Sequence, residues 1–89
     1  MADIRWSLLK SERLKRTRGA SFEEVLNGKL IAVKKHPKRE NQNIILLEYK
    51  RYIWIVPYVI DKNGDIFLKT LFPSRKYTKM HKEGRLWER

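Results

Sequence analysis

The chain of 89 residues contains no cysteine, which excludes disulfide staples, thiolate metal sites and any cysteine nucleophile. A reducing compartment fits that absence, and we read the protein as cytoplasmic. Proline (3 residues) and glycine (4) are scarce, and there is no repeat, low-complexity segment or linker. No stretch approaches the roughly 20 apolar residues that a membrane-spanning helix needs. The most apolar run, Tyr52 to Ile60, is short and contains Pro57. Asp3 and Arg5 stand where a signal peptide would begin its apolar region, so the chain is read as uncleaved.

Negative charge is also in short supply. The acids Asp3, Glu12, Glu23, Glu24, Glu40, Glu48, Asp61, Asp65, Glu83 and Glu88 are scattered, with no clustered carboxylate set for a two-metal nuclease. Two histidines without cysteine do not make a zinc site, so neither metal nor cofactor is expected. Against 10 acids stand 21 lysines and arginines, a net charge of +11 and a pI near 10.2. Such an excess favours a polyanionic partner through counterion release, and nucleic acid above a membrane surface, because no segment pairs an apolar face with a basic one. Length allows one domain, residues 1–89, whose core draws on 42% hydrophobic and 11% aromatic residues.

Local signals predict an α+β chain. A helix from Ser7 to Arg18 has Ser7 as N-cap, Lys15, Arg16 and Arg18 at its negative end, and Gly19 to stop it. Its narrow apolar side is Trp6, Leu9 and Leu14, with Leu8 beside them. Ser21-Phe22-Glu23-Glu24 is a capping box opening a short helix to Leu26, ended by Asn27-Gly28. The period then changes to two. Strands are expected over Leu30–Lys35, ended by His36-Pro37, then Ile44–Tyr49, Tyr52–Ile60 and Ile66–Phe72, with Lys38 to Asn43 a loop. Asn63-Gly64 marks a hairpin, whereas Lys50-Arg51 is poor chemistry for a two-residue corner, which is therefore expected to be longer. Pro57 needs a bulge or a locally unpaired amide. Pro73 ends the last strand and Ser74 caps a final helix running towards Trp87. The expectation is two N-terminal helices, a four-stranded antiparallel β-meander and a C-terminal helix.

Two blocks carry a family resemblance. Trp6-Ser7-x-x-Lys10, the basic run to Gly19 and Ser21-Phe22-Glu23-Glu24 resemble the opening of the BrnT-like toxins of bacterial type II toxin–antitoxin systems, a branch of the RelE/ParE superfamily. Ile66 to Lys79, with Pro73-Ser74-Arg75-Lys76, is similar to the last strand and helix start of small toxins of this type, and His36-Pro37 also fits. Ser7, Leu14 and Arg18 depart from the acidic residue, asparagine and histidine frequent at those places. The resemblance implies a RelE-like fold and a ribonuclease toxin that cuts mRNA without a metal, blocks translation and is neutralised by a cognate antitoxin. It implies RNA as substrate, free or on the ribosome, and operator DNA only through the antitoxin complex. No membrane is implied.

In metal-free cleavage the ribose 2′-hydroxyl attacks the adjacent phosphate while a base takes its proton and cations stabilise the phosphate. Arg75 is the first catalytic candidate, since a cation in the first turn of a helix is unfavourable unless it holds an anion; the alternative is a surface arginine paired with Glu48. Lys69, aligned with Phe67 and Leu71, either projects into an RNA cleft or faces solvent. His36 and His81 are candidate proton carriers, because histidine titrates near neutrality; either is also an ordinary surface residue. Lys35, Lys76, Tyr77 and Lys79 are candidate RNA contacts, Lys79 sharing a helical face with Arg75 and Tyr77 being stacking or core. Of Tyr49, Tyr52, Trp54, Tyr58 and Phe67, most are expected to pack, leaving one or two exposed rings to stack on RNA. The rival readings are a non-catalytic RNA- or ribosome-binding module and, more remotely, a DNA-binding partner subunit.

Overall fold

We describe the computed structural model of the chain over residues 3–35 and 43–84. A strand of two residues, β1 (Ile4–Arg5), comes first. Ser7 then accepts a hydrogen bond from the Lys10 amide and starts α1 (Leu8–Arg18), which Gly19 ends in the left-handed region at φ 87. Ser21 and Glu24 close the capping box of α2 (Phe22–Leu26) in both directions. The apolar side of α1 is narrower than expected: Leu14 is buried, but Leu8 and Leu9 are 71% and 76% exposed.

The sheet consists of β1 with β2 (Lys29–Lys35), β3 (Asn43–Tyr49), β4 (Tyr52–Ile60), β5 (Ile66–Leu68) and β6 (Phe72–Pro73). Its order is β1-β5-β4-β3-β2, with β6 also on β4. The expected four-stranded antiparallel meander is therefore corrected to a six-stranded sheet in which β1 and β5 run parallel. Strands of two residues carry no readable alternation, and β1 is set by distant groups. The Asp3 amide donates to Asp65 Oδ1 at 3.1 Å, the Ile66 amide to Asp3 O at 2.8 Å, and Arg5 pairs with Asp65 at 3.2 Å.

The expected strand Ile66–Phe72 is split, and Pro57 supplies the reason. β4 pairs with β5 over Tyr58–Ile60 and with β6 over Trp54–Ile55, so Val56 and Pro57 face the gap where the neighbour leaves the sheet. The missing proline donor falls there, while Pro57 O accepts the Lys69 amide at 2.9 Å. In the gap the chain swings, so Leu71 is fully buried while Lys69 remains exposed. Lys69 and Leu71 thus do not share a direction, contrary to expectation.

Alternation along β3 and β4 sends side chains to two cores. Ile45, Leu47, Trp54, Val56 and Tyr58 meet Leu14, Phe22, Val25, Leu68 and Leu71 on the α1–α2 side. Leu46, Ile53 and Ile55 meet Ile31 and Ala32 on the other, under Tyr77 and Met80 of α3 (Arg75–Lys82). A shift between Leu30 and Ala32 in β2 turns Ile31 and Ala32 to one side together. Ser74 caps α3 as expected, but the helix ends at Lys82, and Trp87 lies outside the described residues. Thr78 pins α3 to β4: its Oγ1 accepts the Ile53 amide at 2.9 Å and donates to Ser74 O at 2.6 Å.

The β3–β4 corner is the shortest type, not a longer one. Tyr49 pairs with Tyr52 across it, and both Lys50 and Arg51 adopt positive φ, 53° and 65°. Among the described residues no helix is long and apolar enough to cross a membrane.

Candidate functional site

The α3 side of the sheet brings aromatic rings and cations together. Phe67 is opposite Val59 and Phe72 opposite Ile55, which places both rings on the face that α3 covers in part. Tyr77, from α3, packs on the same core. Each of these half-buried rings has a cation over it: Lys69 Nζ 5.9 Å from the Phe67 centroid, the Arg18 guanidinium 5.9 Å from Phe72, and Lys34 Nζ and Lys76 Nζ at 5.7 and 5.9 Å from Tyr77. Each such contact contributes about 0.5–1 kcal/mol at an exposed site. Their arrangement matters more than their energy. Ile55 and Val59 are four positions apart, so Phe72 and Phe67 are spaced by roughly 13 Å along β4.

Arg18 reaches this surface from the end of α1, its Nη1 donating to Leu71 O at 2.6 Å. The swing of the chain after Leu68 leaves that carbonyl outside the β4–β5 and β4–β6 pairings, free to accept from Arg18. One irregularity therefore positions both Lys69 and Arg18.

A second cationic surface flanks α3. Arg75, Lys79 and Lys82 recur at helical spacing and, with Tyr52, Thr78 and Glu83, line a cleft of about 280 Å³. Arg75 makes no ion pair among the described residues, and Glu48, its expected alternative partner, faces His81 instead at 3.8 Å (Nε2 to Oε2). His81 is on another side of α3: six positions from Arg75 amount to about 9 Å of rise and about 120° of rotation.

The candidate residues thus fall into groups. Lys69, Lys76 and Tyr77 belong to the ring-bearing face, Arg75 and Lys79 to the cleft, and His81 to a separate pairing with Glu48. Lys35 pairs with Asn43 at the end of β2, and alternation turns its side chain away from that of Lys34. His36 lies outside the described residues. Arg18, Lys34, Phe72 and Lys82 were not singled out as site residues by sequence reasoning, and Tyr52 was one of a set of rings expected mostly to pack. Lys82 is one helical turn beyond Lys79 and two beyond Arg75, and that period was a usable signal. Nothing in sequence spacing ties Arg18 to Phe72.

A larger cleft of about 450 Å³ between α1 and α2, lined by Leu8, Ser11, Glu12, Lys15, Arg16, Ser21 and Glu23, is poorly suited to a phosphate. Of its two carboxylates, Glu12 and Glu23, the second is committed. Glu23 accepts Trp6 Nε1 at 2.8 Å and Ser11 Oγ at 2.9 Å. Burial works to raise its pKa, but these bonds and its own backbone amide leave it lowered on balance. The Lys15 ammonium at 2.8 Å, then the Ser21 amide and the Tyr49 hydroxyl, hold Glu24 down to about 2, and Lys15 is raised in return. These groups fasten α1, α2 and β3 together. Among the described residues no three His, Asp or Glu side chains converge as metal ligands would.

The class of protein is a mixed α+β domain with one six-stranded sheet, two helices on one face and a third on the other. That fold is similar to the crystal structure of BrnT, the ribonuclease toxin of Brucella abortus, with a TM-score of 0.54 over 83% of this chain and 97% of that one at 15% identity. No family model matches the chain. No curated protein is significantly similar to it in sequence.

Proposed function

We propose that this protein is a ribonuclease toxin of a bacterial toxin–antitoxin pair, which binds RNA across the α3 side of its sheet and cuts it without a metal. The observation that carries the reading is the ring-bearing face: Phe67, Phe72 and Tyr77, half-buried on one side of the sheet, each beneath a lysine or arginine. Rings stack on bases of any sequence and cations hold the phosphates between them. The fold shared with a ribonuclease toxin gives that surface a chemistry.

Arg75 is the residue we assign to the scissile phosphate. It is exposed, unpaired among the described residues and placed in the first turn of α3, where an anion also gains from the helix-start amides. Lys79 adds positive charge beside it in the cleft, and Lys69, Lys76 and Tyr77 hold the strand across the ring-bearing face. His36 and His81 are the proton carriers, with the Glu48 carboxylate facing His81 at 3.8 Å. In the cytoplasm the cognate antitoxin, through an acidic segment, covers the same cations and carries any contact with operator DNA.

Purified protein is incubated with RNA in EDTA. Cleavage that persists and leaves 2′,3′-cyclic phosphate ends is expected, with Arg75→Ala reducing the rate roughly 100-fold or more at equal protein level. Strict dependence on magnesium would overturn the chemistry. A second reading, a non-catalytic RNA- or ribosome-binding module, is favoured by the separation of Arg75 from His81 around α3. Intact RNA bound with a steep salt dependence would select it.

A further inference from the structure

We propose that the β3–β4 turn, Lys50-Arg51, is a phosphate-binding tip that extends the RNA track past the α3 cleft; this rests on the RNA-directed reading above. Three observations converge on it.

The first is conformational. Both residues occupy the left-handed region (φ 53 and 65) in a two-residue turn. Such turns favour Asn-Gly or Gly-Gly, because a Cβ crowds the backbone at positive φ. The same chain uses Asn63-Gly64 in its next turn, with Gly64 at φ 81. At the β3–β4 corner it instead places two long cations where the backbone tolerates them worst. Backbone strain of this kind concentrates where the side chains it presents are used.

The second is support. Lys50 Nζ lies 5.4 Å from the Tyr49 ring centroid, and the Tyr49 hydroxyl donates to Glu24 Oε2 at 3.0 Å. Glu24 is in turn held by Lys15 at 2.8 Å, so the root of the turn is braced on α2 and α1. Arg51 is exposed and makes no hydrogen bond or ion pair among the described residues.

The third is position. Tyr52, next in sequence to Arg51, forms a wall of the cleft that holds Arg75, Lys79 and Lys82. Adjacent Cα atoms are about 3.8 Å apart, so Arg51 adjoins one residue of that wall. The tip and α3 together border one end of the sheet with cations from two elements.

The test uses the full chain, with Lys50→Asn and Arg51→Gly combined, and Lys62→Gln as a control for simple charge loss on another turn. A labelled single-stranded RNA oligonucleotide is titrated at several salt concentrations, and polyglutamate serves as a non-nucleic polyanion. Each phosphate contact contributes about 0.7 to the salt slope, so the double variant should lose about 1.4 in slope and about tenfold in affinity. Lys62→Gln should lose neither. The double variant should also melt roughly 4–8 °C higher, because Asn-Gly relieves the turn. A variant no more stable than the parent would overturn the strain premise. Unchanged RNA affinity and slope would overturn the tip alone, leaving the RNA-directed reading intact. A parent chain that binds no RNA would overturn both. Equal losses for polyglutamate and RNA would reassign the tip to acidic protein segments and overturn it as an RNA element.

Discussion

Thr78→Val should loosen the attachment of α3 without changing the shape of the side chain. Thr78 is 6% exposed, and its hydroxyl accepts the Ile53 amide at 2.9 Å while donating to Ser74 O at 2.6 Å. Valine keeps the volume and removes both bonds. Ser74 O still receives the Thr78 backbone amide at 3.1 Å, so its loss is small. Ile53 N–H is left without an acceptor in a buried position, which costs about 1–3 kcal/mol. At roughly 4–8 °C per kcal/mol for a domain of this size, a central value of about 2 kcal/mol lowers the melting temperature by about 8–16 °C. Thr78→Ser retains the hydroxyl and loses only a methyl group, so it should fall much closer to the parent. Thermal unfolding of the three proteins measures the difference, and hydrogen exchange at Ile53 locates it, since its amide should become the most accelerated in β4. If valine and serine variants melt together and Ile53 remains equally protected, the hydroxyl does not hold α3, and the positioning of Arg75 and Lys79 needs another cause.

Glu24→Gln should flatten the acid side of the stability profile. The Glu24 carboxyl is held at about 2 against its ordinary 4.5, so its contribution is complete above about pH 4.5 and is lost as pH falls from there towards 2. Melting temperatures from pH 7 to 2 should show parent and variant converging at the acid end; a constant gap would contradict the linkage. Gly28→Ala should destabilise by about 1–3 kcal/mol, because the new Cβ would stand 2.3 Å from Glu48 O and the backbone must move; urea unfolding measures it. Phe67→Ala should weaken RNA binding by about 1–3 kcal/mol with far-ultraviolet circular dichroism unchanged, and undiminished binding would remove Phe67 from the interface.

The elements that sequence made legible are those with local causes. Ser7, Gly19 and the Ser21–Glu24 box announce both N-terminal helices, and the continuous apolar run Tyr52–Ile60 marks β4 at both ends. Pro57 announced an unpaired amide, and the gap between β5 and β6 is where it fell. What stayed hidden depends on groups far apart in sequence. β1 exists because Asp65 is there to receive it, and Arg18 joins the ring-bearing face because Leu71 O is turned towards it. Of the site, Arg75 with Lys79 was readable from helical spacing. The pairing of Glu48 with His81 was not, because it required knowing which face of β3 lies under α3.

The parallel β1–β5 pair also sets an order in time. Asp3 and Asp65, joined by a hydrogen bond, are separated by 62 positions, whereas β2 to β5 pair with their chain neighbours. Local hairpins close quickly, and distant contacts wait for the loop between them to be organised. During synthesis the meander can therefore assemble as it emerges, while the edge of β5 stays uncovered until β1 returns to it. Of the contacts described, the one that seals the sheet joins its earliest strand to one made more than sixty residues afterwards. A nascent chain halted before Ile66 has every group needed for β1 except its partner.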